Sequence, residues 1–253
     1  MCFELDSLPP IPVIAGAAVS HTDLELESAD GTRFAAFAAL PDEPGAVGIV
    51  VLPDVRGLYR FYEELALRFA ERGYAAVAID YFGRTAGAAK RDGDFEYPPH
   101  VAQTTPSQIQ ADVAAAVAWL RSPEGGSRGS IFTVGFCFGG RHSWLAAASH
   151  DLAGVIGFYG GPGERNGQPG PTQLASSLRA PVLALQAGDD GNITPEANAA
   201  FDEALTTAQV EHEIVVYDGA PHSFFDRKYE EFAAASADAW TRVLGFIEKE
   251  GEA

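Results

Sequence analysis

Short apolar runs alternate with segments of helical periodicity along most of this chain. Residues 47–52 and 74–79 are almost continuously apolar, which is typical of strands that are covered on both faces of a sheet. Between them, apolar side chains recur every three or four residues, which predicts an amphipathic helix that ends at Gly73. These apolar positions are Leu58, Phe61, Tyr62, Leu65 and Phe69.

The rest of the sequence continues this alternation. Residues 22–28 and 33–40 flank a turn at 29–32 and predict an opening antiparallel hairpin. Further strands are predicted at 131–134, 155–159, 181–186 and 213–217, and further helices after a cap at Ser107 and at 142–148, 195–208 and 232–247. This order predicts one α/β domain over residues 1–253, with a mostly parallel sheet, the hairpin at one edge and helices on both faces.

Residues 81–106 show no such periodicity. Loops that join a strand to a helix in α/β units are usually about 2 to 6 residues long, so this segment is unusually long. We interpret it as a candidate lid or pocket wall, with a solvated surface loop as the alternative.

Charge and cysteine content narrow the possible functions. The formal net charge is −18, which argues against nucleic acid or an anionic membrane as a partner. No apolar run approaches the roughly 20 residues that span a bilayer, and the first thirty residues lack a signal-peptide pattern, so we expect a cytoplasmic protein. The two cysteines, Cys2 and Cys137, are too far apart in sequence for a metal-type spacing or a disulfide framework.

Cys137 lies in the pattern Gly-x-Cys-x-Gly, between a predicted strand and a predicted helix. A nucleophile on such a sharp turn has strained backbone angles and little space around it, so the residues two before and two after it must be small. Gly135 and Gly139 meet this requirement. A small buried cysteine in a glycine-rich turn is the alternative, and a base and an acid at the right places would decide between the two.

His222 is the best candidate base, because it directly follows the last predicted strand. In a parallel sheet the functional site lies in the loops at the carboxyl ends of the strands. The orienting acid is expected after the strand at 181–186, where both Asp189 and Asp190 occur. We prefer Asp190, and the other carboxylate could serve as a turn residue or helix cap. The chain order Cys, Asp, His is that of α/β-hydrolases. The remaining histidines, His21, His100, His142, His150 and His212, are weaker candidates.

With these residues the sequence resembles the dienelactone hydrolase family over nearly its whole length. The resemblance is carried by residues 73–77 with 80–81, by the cysteine motif at 135–140, by 188–190 with 193–196, and by 222–224. It implies an α/β-hydrolase fold, with Cys137 as nucleophile, His222 as base and Asp190 as acid. It also implies an enzyme that needs no metal ion and no cofactor.

The same resemblance implies further site residues. The backbone N–H groups of Val55 and Phe138 would form the oxyanion hole. Asp54 stands where the family often has a glutamate that activates the thiol; its side chain is one methylene shorter, and a role in turning the loop is the alternative. Arg84 and Arg141 are candidates for binding a substrate carboxylate, whereas Arg227 follows His222 by five residues and has an uncertain direction.

The predicted function is therefore opening of a lactone or cleavage of a small ester through an acyl-enzyme on Cys137. A general carboxylesterase or thioesterase is the alternative within enzymes. A redox-sensing or ligand-binding protein that uses Cys137 as a reactive thiol is the alternative outside them. The expected partner in each enzymatic case is a small molecule, with no nucleic acid and no membrane.

Overall fold

The computed structural model of the protein describes residues 3–17, 19–43, 45–91, 93 and 95–251. Within these ranges no helix is both long and apolar enough to cross a membrane. The strands are β1 (Val19–Glu27), β2 (Arg33–Pro41), β3 (Val47–Leu52), β4 (Ala75–Ile79), β5 (Ser130–Phe136), β6 (Gly154–Phe158), β7 (Val182–Asp189) and β8 (His212–Pro221). The helices are α1 (Arg60–Ala70), α2 (Gly83–Ala86), α3 (Pro98–Val101), α4 (Pro106–Arg121), α5 (Phe138–Ala146), α6 (Pro195–Thr207) and α7 (Ala233–Gly251).

The strands form a single sheet in the order β1-β2-β4-β3-β5-β6-β7-β8. β2 is antiparallel to both β1 and β4, while all pairs from β4 to β8 are parallel. The predicted mostly parallel sheet with an antiparallel leading hairpin is therefore confirmed. Because parallel strands end at the same edge, the loops that follow β3, β5, β7 and β8 meet there.

Two hydrophobic cores cover the two faces of the sheet. Alternate residues of a strand point to opposite faces, so Val51 packs into one core and Val50 into the other. The first core contains apolar residues of α1 and α7, for example Phe61 and Val243. The second contains those of α4, α5 and α6, for example Val113 and Phe201. Helices on both faces were predicted, and this arrangement is confirmed.

The prediction that Ser107 caps α4 is wrong. The N-cap is Thr105, whose Oγ1 accepts a hydrogen bond from Gln108 N at 3.3 Å, while Gln108 Oε1 accepts one from Thr105 N at 2.9 Å. This reciprocal capping box leaves Pro106 at the first helical position. Proline lacks a backbone N–H, and an N–H at this position would have no acceptor within the helix, so no hydrogen bond is lost. Ser107 lies inside the first turn instead.

The segment at 81–106 packs through a buried ion pair. Arg91 donates from Nη2 to Asp80 Oδ2 at 2.8 Å, and the side chains of Arg91 and Asp80 are 5% and 0% exposed. Asp80 also accepts hydrogen bonds from the backbone N–H groups of Leu58 and Phe82. The segment is thus tied to the end of β4 and to the loop after β3.

Candidate active site

Cys137 occupies a strained turn between β5 and α5. Its φ and ψ are 55° and −112°, a conformation that L-residues rarely adopt, and α5 begins with the next residue. A Cβ atom on Gly135 would lie 2.1 Å from Gly139 O, and one on Gly139 would lie 2.1 Å from Leu52 O. Both positions therefore require glycine, and the predicted sequence of strand, sharp turn and helix is confirmed.

Cys137 is partly exposed and lines a cleft of about 610 Å³. We call this the cysteine cleft; its lining includes Cys137, His222, Val55, Phe138, Arg141 and Arg165. Phe138 lies in the first turn of α5, where N–H groups have no partner within the helix and the helix dipole favours negative charge. A thiolate or an oxyanion at Cys137 would be stabilised by this environment.

His222 lies directly after β8 and is hydrogen-bonded to Asp190. The distance from His222 Nδ1 to Asp190 Oδ2 is 2.6 Å, and the Asp190 side chain is fully buried. Burial alone would raise the pKa of Asp190, but hydrogen bonds from His222 and from the Asn192 N–H lower it below its ordinary value. Asp190 is therefore a carboxylate at neutral pH that orients the imidazole ring.

The alternative acid, Asp189, is placed differently. It is exposed at the end of β7, where it pairs with Pro221 of β8. Of the two adjacent aspartates, the structure brings Asp190 to His222.

Two further histidines, one in α5 and one just after it, are not among the described residues that line the cysteine cleft. His142 is fully buried against the Phe138 ring, with the ring centroids 4.5 Å apart. Burial, with smaller effects of Arg141 and Arg165, lowers the pKa of His142 to about 3, so this ring is neutral at physiological pH. Burial also lowers the pKa of His150. The His142 ring packs against Phe138, whereas His150 Nε2 is hydrogen-bonded to Gln110 Oε1 at 3.1 Å.

Asp54 lies one residue before Val55 in the loop after β3 and is 1% exposed. Its carboxylate accepts hydrogen bonds from Arg56 Nη2 and from Tyr59 Oη, each at 3.0 Å. Burial would lower the pKa of Arg56, but the hydrogen bond to Asp54 and its charge raise that pKa above the ordinary value. The sequence analysis did not identify Arg56 and Tyr59, since the aspartate alone gave no sign of its partners.

Arg141 lines the cysteine cleft but is engaged with the loop after β6. Its two Nη atoms donate to four backbone carbonyls, those of Gly161, Gly163, Gln168 and Pro169. Burial, followed by the nearby charge of Arg165, lowers the pKa of Arg141 to about 10, so it remains a cation at pH 7. Arg165 itself is exposed and lines the cleft. Sequence reasoning missed Arg165 because the surrounding glycine- and proline-rich stretch indicated only a loop.

Two arginines of the sequence analysis are not among the described residues that line the cysteine cleft. Arg84 makes a bidentate ion pair with Asp112, with Nη1 to Oδ2 at 2.8 Å and Nη2 to Oδ1 at 3.0 Å. Arg227 donates from its backbone N–H to Leu8 O at 3.0 Å and so holds the N-terminal segment. The segment at 81–106, expected to be a lid or pocket wall, also contributes no described residue to the lining.

Replacing Arg84 with methionine is expected to lower the free energy of unfolding by about 3 kcal/mol, because Asp112 would remain fully buried without its cation. Burial already raises the pKa of Asp112 with Arg84 present. The loss of stability should therefore shrink as the pH is lowered and Asp112 becomes protonated. Urea unfolding at pH 7 and pH 5 measures both effects. Arg33→Met, which breaks an exposed ion pair with Glu25, is the matched control and should cost less than about 0.5 kcal/mol. An equal cost for both variants would contradict this assignment.

Among the described residues there is no group of three or more His, Cys, Asp or Glu side chains that could hold a metal ion.

Comparison with known proteins gives one consistent family. The model of the Dienelactone hydrolase family matches residues 34–251. The chain is 31% identical over 234 residues to an Escherichia coli K12 protein named "Putative carboxymethylenebutenolidase", with 87% of this chain and 84% of that protein covered. It is 28% identical over 257 residues to the carboxymethylenebutenolidase of Rhodococcus opacus, with 98% and 97% covered. A crystal structure described as a putative dienelactone hydrolase from Klebsiella pneumoniae subsp. pneumoniae superposes with a TM-score of 0.80 at 29% identity, covering 91% of this chain and 99% of that one.

Proposed function

This chain belongs to the dienelactone hydrolase family and is a hydrolase of esters or lactones, and we propose that it acts through a Cys137-His222-Asp190 triad and an acyl-enzyme. One observation carries the proposal. Cys137 and His222 line the same cleft, and the hydrogen bond between His222 Nδ1 and Asp190 leaves Nε2 as the ring atom that can accept a proton.

The first half of the proposed reaction forms a thioester. His222 Nε2 takes the thiol proton, and the Cys137 sulfur attacks the carbonyl carbon of the substrate. The N–H groups of Val55 and Phe138 stabilise the oxyanion, each with about 3 kcal/mol in the transition state. The carbon–oxygen bond of the ester or lactone then breaks, and its alkoxide receives the proton from His222.

The second half releases the acid. His222 removes a proton from water as the water oxygen attacks the thioester carbon, and the same two N–H groups hold the second oxyanion. The carbon–sulfur bond breaks, and the thiolate recovers the proton from His222. The sum is hydrolysis of one ester bond by one water molecule, and a lactone yields a single hydroxy acid.

The cationic side of the cysteine cleft supports an anionic substrate. Two cations, Arg141 and Arg165, and one carboxylate, Glu164, line the cleft. Arg141 is held by neutral carbonyls, with no carboxylate among its hydrogen-bond partners in the described chain. Its charge is therefore not cancelled by an ion pair. A substrate carboxylate near Arg165 would be attracted by both guanidinium groups.

We expect Arg165→Gln to raise KM about threefold for p-nitrophenyl hemisuccinate, which carries a carboxylate, because an exposed cation contributes about this much to binding an anion. The KM for p-nitrophenyl butyrate, a neutral ester of similar size, should stay within about twofold, because this ester carries no charge for Arg165 to attract. Steady-state kinetics at low and high salt measure the effect, which salt should reduce. Arg179→Gln, another exposed arginine outside the described lining of the cleft, is the control. A parallel rise in KM for both esters would remove the anionic preference.

Hydrolysis of cis- or trans-dienelactone beside p-nitrophenyl acetate tests the proposed function directly. We expect the lactone to have the higher kcat/KM. Turnover of the neutral ester alone would change the function to that of a general carboxylesterase or thioesterase. Absence of turnover together with rapid formation of a sulfenic acid at Cys137 by peroxide would favour a redox sensor.

A further inference from the structure

We propose that Asp54 is a positioning residue that fixes the oxyanion-hole amide of Val55, and that it does not activate the Cys137 thiol. This inference rests on the proposed function. It concerns how the loop after β3 is built, and it changes the role that the family resemblance implied for Asp54.

The carboxylate of Asp54 is occupied by four donors, all from its own loop. Oδ1 accepts from the Arg56 backbone N–H at 2.9 Å and from Arg56 Nε at 3.3 Å. Oδ2 accepts from Arg56 Nη2 and from Tyr59 Oη, each at 3.0 Å. A carboxylate offers about four acceptor sites, so these contacts match its capacity. A thiol could donate to this group only by displacing one of them.

The same residue closes the turn that contains Val55. Asp54 O accepts a hydrogen bond from Gly57 N at 3.1 Å, and the 2.9 Å bond from the Arg56 N–H to Oδ1 is an Asx turn. The Asp54 N–H in turn donates to Tyr62 Oη at 2.9 Å. The N–H groups of Asp54, Arg56 and Gly57 are thereby all paired.

Val55 is the second residue of this turn, and it lines the cysteine cleft. No acceptor for its N–H is found among the residues that the structure describes. Fixing the peptides on both sides of Val55 leaves its N–H as the group free to bind a substrate oxygen. The arrangement is a preorganised donor of the kind that an oxyanion hole requires.

A second carboxylate holds the far end of the loop. Asp80 Oδ1 accepts from the Leu58 N–H at 3.1 Å, and Asp80 is itself fixed by Arg91. Gly57, with φ of +80°, approaches so closely that a Cβ atom would lie 2.3 Å from Asp80 Oδ1. The peptides around Val55 are therefore anchored by Asp54 within the turn and by Asp80 beyond it.

The length of the side chain agrees with this role. An aspartate carboxylate reaches the backbone N–H two residues later, which is the geometry of an Asx turn. A glutamate at this position would extend one methylene farther and would not close the same ring. The shorter acid at residue 54 thus suits the contact with the Arg56 N–H, which a glutamate could not make with the same ring.

The test separates the oxyanion hole from the thiol. An aliphatic trifluoromethyl ketone forms a tetrahedral adduct that depends on both, whereas alkylation of Cys137 by iodoacetamide reports the thiolate without an oxyanion. For Asp54→Ala we expect the inhibition constant of the ketone to rise about 100-fold, the typical effect of losing one oxyanion donor. The alkylation rate should stay within about twofold, and its pH profile should not shift, because formation of the thiolate does not depend on the oxyanion hole.

Asp54→Asn and Asp54→Glu complete the set and guard against a folding defect in the alanine variant. Asparagine keeps an oxygen that can accept the Arg56 N–H, so it should restore the ketone affinity to within about fivefold of wild type. Glutamate keeps the charge but not the turn, so it should weaken ketone binding about as much as alanine does. Thermal unfolding of each variant confirms that the fold is retained.

Three results would overturn the inference. They are an alkylation pH profile that shifts in Asp54→Ala, an asparagine variant as poor as alanine, or a glutamate variant that binds the ketone as well as wild type. Failure of the proposed function itself looks different, because wild-type protein would then form no covalent ketone adduct at Cys137, and the inference would fall with it.

Discussion

Replacing Cys137 with alanine is expected to lower kcat for p-nitrophenyl acetate about 10⁴-fold or more, because the nucleophile of the acyl transfer is lost. The residual rate would come from the oxyanion hole and from substrate binding. The backbone at residue 137 is already strained for any L-residue, so alanine adds no new conflict there. Cys137→Ser keeps a potential nucleophile and should retain more activity than alanine. Initial rates with purified variants measure the difference.

The second cysteine of the sequence provides the control for this experiment. Cys2 lies outside the described residues and has no part in the proposed mechanism, so Cys2→Ala is expected to leave kcat within about twofold of wild type. Ester turnover that survives Cys137→Ala would exclude the acyl-enzyme on Cys137.

Asp190→Asn should lower kcat by about 10³ to 10⁴-fold, because an amide cannot stabilise the imidazolium and favours the wrong tautomer of His222. Asp189→Asn is the matched control and should stay within about threefold, since residue 189 is exposed and does not contact the ring. Steady-state kinetics of both variants provide the measurement. A larger loss in the Asp189 variant than in the Asp190 variant would reverse the assignment of the acid.

The pH dependence of stability gives an independent check on Asp190. Its pKa in the folded protein is lower than its ordinary value of 3.8, so its ionised form stabilises the fold above that pH. This contribution is lost as the pH falls through the lower pKa of the folded state. The difference in unfolding free energy between wild type and Asp190→Asn should accordingly be larger at pH 7 than near pH 3.

The sharp turn at Cys137 and the sheet could be predicted because local rules determine them. Gly135 and Gly139 flank Cys137 at the spacing that a sharp turn demands, and the steric contacts of both glycines agree with that demand. The alternation of apolar runs with helical periodicity was enough for the strand direction and for the helices on both faces. The sequence also led us to expect Asp190 beside His222, and the 2.6 Å hydrogen bond between them agrees, while the role of Cys137 as nucleophile stays a prediction.

Long-range pairing could not be predicted from the sequence. Arg84 and Arg165 are both arginines in loop-like segments, yet one pairs with Asp112 and the other lines the cysteine cleft. Their directions depend on which elements pack beside them. The prediction of the N-cap of α4 failed for a simpler reason. Thr105 and Ser107 are both good N-cap residues, and only the capping box with Gln108 distinguishes them.

The proposed role of Asp54 depends on its position in the sequence and on contacts that only the structure shows. The sequence places an aspartate after β3, but its pairing with Arg56 and Tyr59 becomes visible only when the conformation of the loop is known. A charge that is fully paired inside its own loop has a different function from one that faces a thiol. The type of residue alone does not distinguish the two cases.

The acyl-enzyme itself is the most direct measurement of the proposed mechanism. Wild-type protein mixed with p-nitrophenyl acetate, quenched in acid within the first turnover and digested, should carry one acetyl group on the peptide that contains Cys137. The Cys137→Ser variant should carry the acetyl group on the same peptide, held as an oxygen ester that resists hydroxylamine better than the thioester does. Turnover without an acetylated intermediate, or acetylation at another residue, would contradict Cys137 as the nucleophile.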